Sequence, residues 1–190
     1  GFESFLKALS SDIYTLTNKG KGDIFIYDYH PFIGIISADT TFHTYKDSIE
    51  NVLRSNNIAT NIICYDELEL NKYVDSLPGK SLQEKHSIKG KFKESLNFYH
   101  INNDKNNVLW NANDIGPCHF IVVGDAVYQF IILPDNQKGH SINTIVGTRS
   151  EDVFHVSQFK KAFNFLASSA ISAKHIEYFG KEKTLRIHIE

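Results

Sequence analysis

The stretch Asp23–Asp66, DIFIYDYHPFIGIISADTTFHTYKDSIENVLRSNNIATNIICYD, decides how the chain folds. Its first seven residues, Asp23–Tyr29, are rich in β-branched and aromatic side chains and predict a strand. HPFIGIIS continues extended, but Pro31 and Gly34 argue against an unbroken central strand there. Phe42, Tyr45, Ile49, Val52 and Leu53 then recur at helical spacing, after an N-cap offered by Asp39 to Thr41. Ile58–Asp66, IATNIICYD, predicts the next strand. Strand, helix, strand in that order implies a right-handed crossover and a parallel strand pair.

The same pattern extends to both sides. Phe2, Phe5, Leu6, Leu9, Ile13 and Leu16 form the stripe of an amphipathic first helix, stopped near Gly20 and Gly22. Beyond the block, Leu68–Leu77 predicts a short helix and Ser81–Tyr99 a longer one. Residues 101–117 hold six asparagines and read as a loop. CHFIVVGD and AVYQFIIL predict two strands around a turn at Gly124-Asp125, and SINTIVG a short strand. Phe154–Ala170 predicts a closing helix, and the tail, Lys174–Glu190, a hairpin or two edge strands. The expected fold class is therefore α/β: a single domain with a mixed central sheet flanked by helices, 1–190, carrying a strand hairpin extension over 171–190.

Bulk composition narrows the function classes. With 190 residues, 42% hydrophobic and 22% charged, the chain can build one sizeable core. A formal net charge of −2 disfavours a surface built wholly for nucleic acid, although a local basic patch is not excluded. No apolar run reaches the roughly 18–20 residues of a membrane span. The chain starts at Gly1 and holds no Met, so it is expected to be a domain cut from a longer protein. Cys64 and Cys118 both lie in apolar strand-like runs, which suggests buried free thiols and a cytoplasmic setting.

The common catalytic signatures are missing. There is no paired CxxC, no HExxH, no Walker loop or GxGxxG after the first strand, and no GxSxG elbow. No metal or cofactor is expected. Cys118 and His119 are neighbours, but adjacent residues of a strand face opposite ways and cannot easily share a proton. Lys80, Lys85, Lys89, Lys91 and Lys93 concentrate positive charge, diluted by Glu84 and Glu94, and read as a solvated helix face. His30 follows a strand end, where α/β folds often place sites. GHSIN, Gly139–Asn143, offers Ser141 and Asn143 as donors for an anion, with His140 beside them.

Two blocks together carry a resemblance. The first is Ile26–Asp66. The second is GPCHFIVVGDAVYQF, Gly116–Phe130, followed by GHSIN and the helix QFKKAFNFLASSA. Over roughly residues 2–170 the chain resembles the phospholipase D-like superfamily, and within it a bacterial group whose catalytic motif is degraded. That family's motif is HxKxxxxD followed by a GSxN-type segment. His and Lys, two apart on a strand, face the same side. The His attacks phosphorus to form a covalent intermediate, and the Lys steadies the phosphoryl oxygens.

Carried over by position, His119 matches the histidine, Ile121 stands where the lysine should be, and Ala126 stands where the aspartate should be, with Asp125 one residue early. GHSIN lies too far downstream, and no second motif copy appears. The resemblance thus implies a catalytically inactive phospholipase D-like domain acting as a binding or regulatory module. It would take a small phosphate-containing, anionic ligand near His119, His140, Ser141, Asn143 and His30. One alternative is a phosphodiesterase or nuclease that works as a homodimer around His119. Another is a protein-interaction domain dimerising through the C-terminal strands.

Overall fold

The computed structural model describes residues 2–29, 40–55, 57–91, 107–111, 115, 118–133, 144–172, 176–179 and 184–187. The first helix, α1 (Phe2–Lys19), buries Leu6, Leu9, Ile13 and Leu16 on one face, as the spacing predicts. It stops where Gly20, at φ +68°, turns its N–H back to the carbonyls of Leu16 and Thr17. Two residues on, Gly22 lies so close to the Leu16 side chain that a Cβ there would sit 2.5 Å from Leu16 Cδ1. The chain can therefore enter β1 (Gly22–Tyr27) directly beneath the helix it has just left.

From β1 the chain passes through α2 (Thr40–Leu53) to β2 (Ile58–Tyr65), and the two strands pair in parallel with Ile26 beside Ile62. Tyr45, Ile49 and Val52 of α2 are buried, which is the stripe read from the sequence. Next come α3 (Glu67–Ser76) and α4 (82–91), both begun by side-chain caps. Asp66 accepts the Glu69 N–H at 2.8 Å. Ahead of α4, Ser81 and Glu84 exchange bonds as a capping box: the Ser81 N–H donates to Glu84 at 2.8 Å, and the Glu84 N–H donates to Ser81 Oγ at 3.2 Å.

The asparagine-rich segment departs from its sequence reading. Within 101–117 the chain forms β3 (Asn107–Asn111), parallel to β2, with Leu109 beside Ile63. The loop expectation is corrected here because three apolar residues, Val108, Leu109 and Trp110, extend a parallel sheet that neighbouring strands have already started. Tertiary pairing overrides the local composition.

The predicted hairpin follows as β4 (Cys118–Val123) and β5 (Ala126–Leu133), turning at Gly124 with φ +56°. Then come β6 (Thr144–Ser150), α5 (Val153–Ala167) and a two-residue β7 (Ile171–Ser172) against β3. The strand order is β6-β5-β4-β1-β2-β3-β7, a mixed seven-stranded sheet. In the tail, β8 (Ile176–Phe179) and β9 (Thr184–Ile187) form an antiparallel hairpin of their own, the arrangement expected for that segment.

Both faces of the sheet are covered. One carries Ile24, Ile26, Ile121, Tyr128 and Phe130, and packs under α1 and α2; Phe5 of α1 meets Tyr128 and Phe130 edge-on. The other carries Phe25 and Phe120, which α5 covers through Phe163 and Phe159. Strand alternation settles the two adjacent residues Cys118 and His119. His119 is wholly buried on the first face, and Cys118 is exposed on the second. The expectation of a buried Cys118 is thereby corrected; Cys64 is buried as expected.

A buried aspartate and histidine at the sheet edge

β1, β2 and β3 run parallel, so their carboxyl ends share one edge of the sheet. β4 starts at that edge, β5 ends there and β6 starts there, because β4 is antiparallel to β1 and β5, and β6 to β5. In α/β sheets the crevice outside the carboxyl ends of the strands is where ligands are received.

The register brings two polar residues together at this edge. Tyr27 pairs with Phe120, so the next step outward sets Asp28 opposite His119, both on the α1/α2 face. Asp28 is 1% exposed and His119 0%. His119 Nδ1 stands 3.0 Å from Asp28 Oδ1, close but without the alignment of a hydrogen bond. Asp28 Oδ1 does accept the Tyr29 N–H, at 2.7 Å. The Asp28 N–H donates to the Ile63 carbonyl, and the Tyr65 N–H to the Tyr29 carbonyl, so the backbone beneath the carboxylate is fixed.

Aromatic rings enclose the pair. Tyr29 meets the His119 ring edge-on at 4.3 Å between centroids, and Phe130 stacks on it at 5.4 Å. Tyr29 also stacks with Tyr65 at 5.1 Å and leans on Tyr73 of α3 at 4.7 Å. On the opposite face, Tyr27 Oη donates to the Ile115 carbonyl and the Ile115 N–H donates to Tyr65 Oη, each at 3.2 Å. Those two bonds anchor the backbone that leads into Cys118 and His119.

The carboxylate reaches further than its contacts. Burial first, and the Asp28 charge second, push the phenol of Tyr45, the thiol of Cys64 and the phenol of Tyr73 well above their ordinary ranges. Cys64 is therefore a protonated, unreactive thiol. Tyr45 Oη and both ring nitrogens of His119 are buried with no hydrogen-bond partner among the described residues. Each such group costs about 1–3 kcal/mol.

Of the candidate site residues read from the sequence, His119 is the one among the described residues. His30, His140, Ser141 and Asn143 lie outside the described residues. Leu133 and Thr144, which flank the segment holding the last three, pair with each other at the same edge. Sequence reading missed Asp28, Tyr29, Tyr45 and Tyr73. One signal was available: a carboxylate between two tyrosines at the end of an apolar strand, in IYDY.

Ile121 is 0% exposed, beside Ile26 in the core. The lysines of α4 and its approach are held by local acceptors: Lys80 by Glu84 at 3.3 Å, Lys89 by Asp75 at 2.8 Å, and Lys85 by the Asp75 carbonyl at 2.5 Å. Among the described residues no helix is long and apolar enough to cross a membrane. Nor does any group of three or more His, Cys, Asp and Glu stand together there in a metal-holding arrangement.

No family model matches the chain, and no curated protein is similar to it. One solved structure similar to it is that of TrmBL2, described as an archaeal chromatin protein with a novel mode of DNA binding. Identity is 14%, over 88% of this chain and 51% of that one, with a TM-score of 0.42. The chain spans about half the length of that structure. So slight a likeness bears on neither fold nor function.

Proposed function

We propose that the chain is a catalytically silent α/β domain of phospholipase D-like type that serves as a binding or regulatory module. Its ligand is received at the sheet edge above Asp28 and His119. The observation that carries this reading is the burial of His119 together with Ile121. A nucleophilic histidine must reach phosphorus, and His119 is closed in by Tyr29 and Phe130. The position that should hold a phosphoryl-binding cation holds an isoleucine packed in the core. Loss of one such stabilising group costs about 3–4 kcal/mol in the transition state, a factor of hundreds in rate.

One observation favours the alternative of a dimeric phosphodiesterase. Asp28 stands where it could orient His119, a role that Ala126 cannot fill. A single experiment decides between the two. The chain and His119→Ala are assayed for hydrolysis of bis(4-nitrophenyl) phosphate. The binding reading expects no turnover by either; turnover that disappears in His119→Ala establishes the enzyme instead.

A further inference from the structure

We infer that β6 is the docking strand for a second copy of this chain, the two β6 strands pairing antiparallel about a two-fold axis at Val146. The two sides of the large sheet end differently. Beyond β3 the sheet closes with the two-residue β7, a very short strand of the kind that blunts an edge. On the other side it ends on β6, Thr144–Ser150, seven residues long, and among the described residues no strand pairs with its outer side. All seven residues pair with β5 in unbroken register, so no bulge twists the strand away. Its sequence, TIVGTRS, holds neither lysine nor proline, the residues that commonly protect such an edge. Val146, Gly147, Thr148 and Arg149 are all exposed, and what Gly147 exposes is main chain.

Charge and apolar surface both favour a second copy as the occupant. The one charged residue of β6, Arg149, is taken up by Asp12 at 2.9 Å and Glu151 at 2.6 Å within its own chain. No uncompensated charge therefore meets its like across a two-fold seam. The whole chain carries a formal net charge of only −2, so two copies repel weakly. On the α5 face, Cys118, Ile131 and Val146 stand side by side across β4, β5 and β6. Cys118 is exposed, Ile131 is 40% exposed and Val146 55%. α5 covers Phe120 and Phe25 of the same face and leaves this row open.

With Val146 opposite the second copy's Val146, the two open rows join into one that crosses the seam. The outward N–H and C=O groups of both strands are paired in the same step. Each copy offers the same strand and the same row, which is the self-complementarity that a two-fold interface requires. One strand pair with one apolar row stays below the about 800 Å² per partner of a standard interface, so a reversible dimer is expected rather than a permanent one. His119 lies on β4, two strands in from the seam. Five strand spacings, about 24 Å, would separate the two copies of it, so this pairing is distinct from a dimer built around His119.

Sedimentation velocity of the full chain, from micromolar to near-millimolar concentration, tests this. A concentration-dependent equilibrium between monomer and dimer is expected. Val146→Lys sets two lysines opposite each other and is expected to raise the dissociation constant about tenfold or more. Thr148→Lys puts a charge two residues along the same strand and is expected to act in the same direction, which keeps the test decisive should Val146→Lys fail to fold. Phe165→Lys, at a 78% exposed position of α5 away from β6, is expected to leave the dimer unchanged. A chain that stays monomeric at the highest concentration overturns the inference. So does a dimer that neither β6 variant weakens, and so does one that Phe165→Lys disrupts as strongly as they do.

Discussion

Two aspartates stand on the same face of the same sheet and live in opposite circumstances. Asp12, on α1, is gripped by Arg149 of β6 through Nε at 2.9 Å and Nη2 at 3.1 Å, and accepts the Tyr128 hydroxyl at 2.5 Å. Arg149 also reaches Glu151 at 2.6 Å and lies 5.9 Å from the centre of the Tyr128 ring. Hydrogen bonds to Asp12, Glu151 and Tyr128 push the guanidinium further above its already high range, and burial pushes the Tyr128 phenol up, with its bond to Asp12 adding to that. Asp28 faces a histidine, accepts one backbone N–H, and has no lysine or arginine paired with it among the described residues. The first aspartate ties a helix to a sheet. The second lies against a histidine whose ring nitrogens have no hydrogen-bond partner among the described residues. The contrast is between an aspartate matched by an arginine and one buried without such a match.

Four expected outcomes test the contrast, the largest first. His119→Leu leaves the buried Asp28 with the Tyr29 N–H but no facing side-chain partner, and is expected to lower unfolding stability by about 3–5 kcal/mol in a urea titration. Adding Asp28→Leu in the same chain should recover most of that loss, because an apolar pair of similar volume leaves nothing unsatisfied. If the double variant is no more stable than the single one, Asp28 is a structural aspartate and the contrast collapses.

At the other aspartate, Asp12→Ala should cost about 1 kcal/mol in the same titration. The network is part-exposed and water screens what remains, so the loss stays well below that of His119→Leu. A loss equal to or greater than that of His119→Leu would reverse the ranking of the two regions.

Thiol labelling reports on the same burial. In native protein at mildly alkaline pH, Cys118 should react promptly with a disulfide reagent and Cys64 only after denaturation. Burial, with the charges of Asp28 and Asp66 adding to it, keeps the Cys64 thiol protonated. Prompt labelling of both would mean that the floor of the site opens readily. The smallest effect belongs to the exposed Glu84, whose carboxyl is held below its usual range first by the Ser81 N–H and then by the Ser81 hydroxyl and Lys80. A carboxyl depressed in the folded state stabilises above its unfolded pKa, and that support fades as pH falls through the folded value. Helicity measured by circular dichroism should therefore lose its α4 share slightly on acidification, and Glu84→Gln should abolish that pH dependence.

Much of the frame is legible in the residues. The stripes Leu6-Leu9-Ile13-Leu16 and Tyr45-Ile49-Val52 have helical period, and both are buried where that period places them. The crossover from β1 to β2 and the turn at Gly124 follow from order and turn chemistry. β3 was not legible, because its three apolar residues sit among asparagines and only the edge of β2 makes a strand of them. The site was half legible: His119 drew notice by its motif frame, whereas Asp28 looked like the end of a strand.

By itself, the sequence determined the alternation that sends His119 and Cys118 to opposite faces, the apolar residue at position 121, and the stripes of the helices that cover the sheet. Those are local properties, set by periods of two and 3.6 residues along one chain. Only the tertiary structure decided that Asp28 and His119 face each other, that Tyr29 packs on the His119 ring with Tyr65 of β2 and Tyr73 of α3 behind it, and that Arg149 falls to Asp12 instead. Register between strands far apart in the chain sets those meetings. A shift of one residue between β1 and β4 would turn one member of the pair to the opposite face and leave the other alone.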